Sequence, residues 1–172
     1  MLYAAIVRAP VPGGQLEGVD PTPAATMAGV HQVVQLDDAV AVIADGYWQA
    51  QQALDGLEPR FTDAGRGEVD TATIRARHAA ALDEEVLGEP PGGARVVTAE
   101  YCVPYLSHAT MEPMCATAQL ADGRLDVWCG TQDPLSTRGV AAGVADLDRD
   151  NVSIHNQQLG GGFGRRLPGT YD

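Results

Sequence analysis

The chain has 172 residues, 45% hydrophobic and 20% charged, a globular balance that excludes a disordered or fibrous protein and sets one ordinary domain or two small ones as the prior. A net charge of -12, with no lysine anywhere, leaves little cationic surface to neutralise phosphates, so nucleic acid is not an expected partner. No apolar run reaches the length of a membrane span and "MLYAAIVRAPVPGG" lacks the charged and apolar regions of a signal peptide, so the expectation is a soluble chain, cytoplasmic or periplasmic, with no membrane span.

In chain order, "LYAAIVRA" (2–9) is a short apolar run closed by Pro10, Pro12 and Gly13–Gly14, which predicts a buried strand and a turn. Because it begins at residue 2, the chain is expected to be cut from something longer. Residues 15–20 are a second strand candidate, and "PTPAATMAGV" offers a short helix between its prolines and Gly29. The β-branched runs at 30–36 and 39–45, divided by Asp37–Asp38, suit a hairpin. Asp45 is then expected to cap a helix whose Tyr47, Ala50, Leu54 and Leu57 share one face.

A further helix is expected over 71–86 with Ile74, Ala81 and Leu82 on one side, leading into the linker-like "GEPPGGA" (88–94), with a domain boundary within 64–95. Beyond it, 95–103 alternates like a strand, and 114–131 reads as two strands around Asp122–Gly123. Residues 134–147 suit a helix weakened by two glycines, and 151–156 a last strand. The fold class expected is α+β. Trp48 and Trp128 are read as core, and Cys102, Cys115 and Cys129, with no CxxC pair, as small buried hydrophobes.

Two segments concentrate chemistry. "HNQQLGGGFGRRLPG" (155–169) matches neither GxGxxG nor, lacking lysine, a Walker loop. It is either a flexible turn or a nest of backbone N–H groups for an anionic or oxo ligand, with Phe163 orienting the loop and Arg165 and Arg166 supplying charge. "YLSHATMEPM" (105–114) holds His108 and Glu112 four apart, one face of a helix if a helix forms between Pro104 and Pro113. That pair is either a local hydrogen bond or near-site chemistry, including a small acid–base enzyme. His31, His78 and His155 lie in separate elements, which excludes an HExxH metalloprotease or a structural zinc, so no residue is assigned as a metal ligand. No serine sits in GxSxG. The acidic runs Asp83–Glu85 and Asp146–Asp150 are read as solvated faces.

In order, "PYLSHATMEPMCATA", "DVWCGTQDP" and "LGGGFGRR" resemble the molybdopterin-binding large subunit of the xanthine dehydrogenase and aldehyde oxidase family, nearest the isoquinoline 1-oxidoreductase beta-subunit type. The first part, from "LYAAIVRAP" through "VIADGYWQAQQAL", resembles that family's α/β-hammerhead domain. The resemblance implies a hammerhead-like domain over 1–66, a helix and linker over 67–94, and the first mixed β/α part of a molybdopterin-binding domain over 95–172. It implies an oxidoreductase that uses molybdenum on a molybdopterin dinucleotide to oxidise N-heterocycles or aldehydes with water-derived oxygen, passing electrons to a small 2Fe–2S subunit.

By the same resemblance, Gly160, Gly161, Gly162, Phe163, Gly164, Arg165 and Gln132 would lie at the cofactor, with His108 and Glu112 near the site. The family's catalytic glutamate and most dinucleotide contacts lie downstream of the glycine loop, so no catalytic residue is assigned here. This stretch alone is expected to be inactive and to bind no cofactor. Where the xanthine dehydrogenase branch continues with lysine and then glutamate, this chain has Arg165–Arg166 and Leu167, which weakens a purine-type reading. The alternative is a hammerhead-fold scaffold or assembly module without chemistry.

Overall fold

In the computed structural model, which describes residues 1–83, 88 and 90–168, helices and strands are mixed in two compact units, Met1–Pro104 and Tyr105–Asp172. The first unit runs β1 (Tyr3–Arg8), β2 (Leu16–Gly18), α1 (Thr22–Ala25), β3 (Val30–Gln35), β4 (Ala39–Ala44), α2 (Tyr47–Asp55), β5 (Arg60–Phe61) and α3 (Thr71–Asp83). β1, β4 and β3 form an antiparallel sheet with β4 in the middle. That central place suits its apolar sequence, AVAVIA: the strand is flanked on both edges, Val40, Val42 and Ala44 on one face are buried, and Ala41 and Ile43 on the other are half-buried. Val40 and Val42 are fully enclosed there, and each burial contributes about 1.5–3 kcal/mol. Ala50, Ala53 and Leu54 of α2, with Leu57 just beyond it, close the core, and the two alanines let the helix axis come near the sheet. β2 and β5 make a separate two-stranded pair.

Several expectations fail here for identifiable reasons. One extra residue of β3, His31, bulges between Val30 and Gln32, and its Nε2 meets Asp45 Oδ1 at 2.7 Å. Asp45 is therefore occupied, and the extended Gly46 stands at the N-cap of α2 with no side-chain cap. Tyr47 and Trp48 both lie on the solvent side of α2, so neither belongs to the core face. α3 forms where a helix was expected, but only Ile74 of its apolar side is half-buried while Ala81 and Leu82 face solvent. The expected end of that helix at 84–86, with Glu85, lies outside the described residues. Residues 95–103 have alternation but no partner strand among the described residues, and without a ladder to join they adopt no regular structure. Among the described residues no helix is long and apolar enough to cross a membrane.

The second unit contains β6 (Ala116–Ala121), β7 (Arg124–Cys129), α4 (Pro134–Ala145), a single 3-10 turn at Arg149–Asn151, and β8 (Val152–Asn156). β6 and β7 pair through Asp122–Gly123, both at positive φ (50° and 71°), which a two-residue hairpin turn of matching twist requires. β8 then pairs parallel to β7, so α4 is the crossover of a β-α-β unit. Asp133 starts α4 by accepting the Ser136 amide (3.0 Å), Pro134 fits its first turn, and Asp146 ends it in the left-handed region. A small core of Leu125, Ala142 and Val152 holds helix to sheet. Cys102 and Cys115 are exposed and Cys129 is half-buried, which corrects the reading of all three as core. Trp128 is also only half-buried; it stacks on His155, ring centroids 4.7 Å apart, and that ring in turn meets Asp126 Oδ1 at 2.7 Å.

Candidate functional site

β7 and β8 run the same way, so the segments leaving their C-terminal ends emerge side by side. Gln157 N–H still bonds Cys129 O (2.9 Å) one residue past β8. After β7 comes Gly130-Thr131-Gln132, and after β8 comes the glycine run. Asn156 Oδ1 accepts the Thr131 amide (3.0 Å), while Thr131 Oγ1 reaches Thr137 Oγ1 (2.8 Å) in α4 and donates to Arg166 O (3.2 Å). Helix, both strands and both loops are thus linked through one buried threonine.

The His108–Glu112 segment is not a helix, because the prolines at both ends leave it without a continuous turn. Glu112 turns toward the glycine run instead. Its Oε2 accepts the Gly160 amide at 2.7 Å, and its own amide donates to Gly160 O at 3.2 Å. A Cβ on Gly160 would lie 2.3 Å from Glu112 Cβ, so this approach admits only glycine. At the other end of the run, Gln132 Oε1 accepts the Gly164 amide (2.9 Å), and a Cβ on Gly162 would meet that oxygen at 2.5 Å. His108 Nε2 also lies beside Gly164.

The loop is therefore fastened at Gly160 and Gly164, while the amides of Gly161, Gly162 and Phe163 have no hydrogen-bond acceptor among the described residues. Phe163 holds φ +56°, a left-handed conformation unusual for a bulky side chain and of the kind that clusters at ligand sites. Three adjacent free donors on a strained, fastened turn suit a group rich in oxo or sulfur acceptors. Arg165 donates its amide to Gly162 O (2.9 Å) and is half-buried. Among the described residues no cluster of His, Cys, Asp and Glu could hold a metal ion directly.

The structure brings Glu112 and Gln132 onto the glycine run, and Arg166, expected from the sequence only to supply charge beside Arg165, is buried against Glu112. Its side chain is 3% exposed, and NH2 donates to Glu112 Oε2 (2.9 Å) and to Glu112 O (3.1 Å). Nothing in "GRR" separates the buried arginine from its half-buried neighbour.

Residues 91–171 match the molybdopterin cofactor-binding domain family. The chain is 32% identical over 192 aligned residues to the beta chain of isoquinoline 1-oxidoreductase from Brevundimonas diminuta, covering 99% of this chain and 24% of the relative. It is 28% identical to a nicotinate dehydrogenase subunit from Pseudomonas putida, over 96% of this chain and 15% of that protein. Its fold is that of quinoline 2-oxidoreductase from Pseudomonas putida 86 over 96% of this chain and 28% of the other, with a TM-score of 0.68 at 17% identity. The chain thus spans a quarter or less of the length of these curated relatives, and the two loops joined by Gln132 both fall inside the molybdopterin-binding match.

Proposed function

We propose that this chain is the early part of a molybdenum hydroxylase large subunit, in which the turn from Gly160 to Gly164, with Gln132 and Arg165, borders a molybdopterin dinucleotide. The observation that carries the reading is the run of three amides, Gly161 to Phe163, without an acceptor among the described residues and fastened at one end by Glu112 and at the other by Gln132. Their N–H groups would meet acceptor atoms where a side chain would collide, and the left-handed Phe163 aims that stretch of backbone. Bound there, the group would supply the two-electron oxidation of an electron-poor carbon with water-derived oxygen.

The relatives named for isoquinoline and nicotinate support an N-heterocycle as substrate of the assembled enzyme, and a relative named as an aldehyde dehydrogenase, 27% identical over 92% of this chain, supports an aldehyde. A small 2Fe–2S subunit is the proposed electron acceptor, and the naming of both relatives as subunits is consistent with a partner chain. Residues 1–66 are assigned to a hammerhead-like domain, 67–94 to a connection, and 95–172 to the start of the cofactor-binding domain. The family match beginning at residue 91 supports that last boundary.

The test is elemental analysis for molybdenum, together with oxidised-pterin fluorescence, on the full-length subunit coexpressed with its neighbouring iron–sulfur subunit. About one molybdenum per large subunit is expected. A correctly assembled complex with neither metal nor pterin would refute the proposal.

A further inference from the structure

Arg166 is the most enclosed charged residue of the second unit, and its environment is a poor one for stability alone. Its side chain is 3% exposed, its Nε is buried with no acceptor, and its only acidic partner among the described residues is Glu112, itself about a third exposed. A buried ion pair with an orphaned donor is weak evidence for stabilisation, since desolvation offsets the attraction and the unmet N–H is a further cost. What the arrangement does supply is geometry.

The guanidinium lies against Gly130, where a Cβ would stand 3.0 Å from NH1. From there NH2 grips both the carboxylate and the carbonyl of Glu112. The carbonyl is held a second time by Thr110 Oγ1 (3.0 Å). The same Oε2 that receives Arg166 receives the Gly160 amide, so the guanidinium sets where the glycine run begins. Arg166 O accepts from Gln132 N–H (3.1 Å) and Thr131 Oγ1 (3.2 Å), so its main chain sets where the run ends, beside the glutamine that takes the Gly164 amide. One residue closes the loop from both sides.

We propose that Arg166 and Glu112 are positioning residues: acting through the Gly160 amide and the Gln132 loop, they fix the direction of the free amides of Gly161, Gly162 and Phe163 toward the cofactor. This rests on the molybdopterin reading above. Neither residue touches substrate in the proposed role. A planar guanidinium whose NH2 reaches both the carboxylate and the carbonyl of Glu112 keeps that residue in one orientation, which a lysine, offering a point charge, does not reproduce.

The experiment uses the assembled enzyme and the variants Arg166→Lys, Glu112→Ala and Glu112→Gln. Amide hydrogen exchange is followed by mass spectrometry on overlapping peptides across 156–166, beside the thermal midpoint, the pterin content and the Mo(V) electron paramagnetic resonance spectrum. Glu112→Ala and Arg166→Lys are expected to speed exchange at Gly160 by about tenfold and to alter the Mo(V) spectrum, while peptides in β6 and α4 exchange as in the wild type. Glu112→Gln, which keeps one oxygen for the Gly160 amide, is expected to fall between them and the wild type. Unchanged exchange at Gly160 in folded Glu112→Ala or Glu112→Gln protein overturns the proposal, as does a wild-type Mo(V) spectrum in a variant whose loop has loosened. A wild-type enzyme without pterin refutes the molybdopterin reading instead, and the exchange result then still decides whether the pair orders the loop.

Discussion

Replacing Gly160 with alanine acts on the tightest approach in the second unit. The new methyl carbon would stand 2.3 Å from Glu112 Cβ and 3.1 Å from Oε2, against the 3.5 Å or more at which carbon atoms normally rest. Because Glu112 Cβ is fixed to the main chain, a rotamer change cannot relieve the overlap, and the two backbone segments must part by about 1 Å. Overpacking of this kind costs about 1–3 kcal/mol. Parting also breaks the Gly160–Glu112 hydrogen bonds and pulls the carboxylate from Arg166. Loss of a partner from a buried charge costs about 3–5 kcal/mol, a figure to be taken at its lower end because Glu112 is partly exposed. A total near 4 kcal/mol is a large share of the 5–15 kcal/mol that holds an ordinary domain. Thermal unfolding and pterin content of the assembled enzyme are the assays, with Gly143→Ala as control. Gly143 lies in α4 with open space where its Cβ would point, so alanine there is expected to stabilise by about 0.5–1 kcal/mol through helix propensity. A Gly160→Ala enzyme as stable and as fully loaded with pterin as the wild type would show that the close approach does not constrain the loop.

The Ser136 hydroxyl, and after it the Ser136 amide, hold the Asp133 carboxyl below the ordinary carboxylate value. A lowered folded value means that Asp133 contributes stability above the unfolded value, near 3.9, and loses it as pH falls through the lower folded one. Asp133→Asn should therefore be less stable than wild type at neutral pH and converge with it in acid unfolding below about pH 4; a gap that persists unchanged there would contradict the assignment. Burial raises the Cys129 thiol, whereas Cys102 and Cys115 are exposed, so alkylation at mildly alkaline pH should label the latter two first, and peptide mapping that finds Cys129 foremost would be contrary. Phe163→Gly removes left-handed strain of about 1–2 kcal/mol while giving up a mostly exposed ring, so its thermal midpoint should not fall below that of the wild type.

How much of this was legible in the sequence depends on whether the deciding signal was local. Asp122–Gly123 announced its hairpin, Pro134 the start of α4, and the β-branched runs their pairing, because turn chemistry and period act within a few residues. Asp45 failed as a cap because a bulge elsewhere delivered His31 to it. Residues 95–103 failed as a strand because alternation states a preference and only a neighbouring ladder satisfies it. In the site, the glycines stood out by composition and by the family resemblance, and Gln132 by the resemblance alone. The bond from Glu112 to Gly160 spans 48 positions and the one from Arg166 to Glu112 spans 54, so neither leaves a periodic trace.

The parallel pairing of β7 with β8 has a consequence for how such a protein can change. The two loops that meet at Gln132 start one strand spacing apart, about 4.8 Å, however long the path between them. An insertion in the stretch from the end of α4 to the start of β8 lengthens the route without moving either doorway, since the sheet and not the connection sets the distance between them. Growth of the chain in that stretch can therefore add a new surface, for a partner or for a wall of a substrate channel, while the glycine turn and its glutamine keep their places.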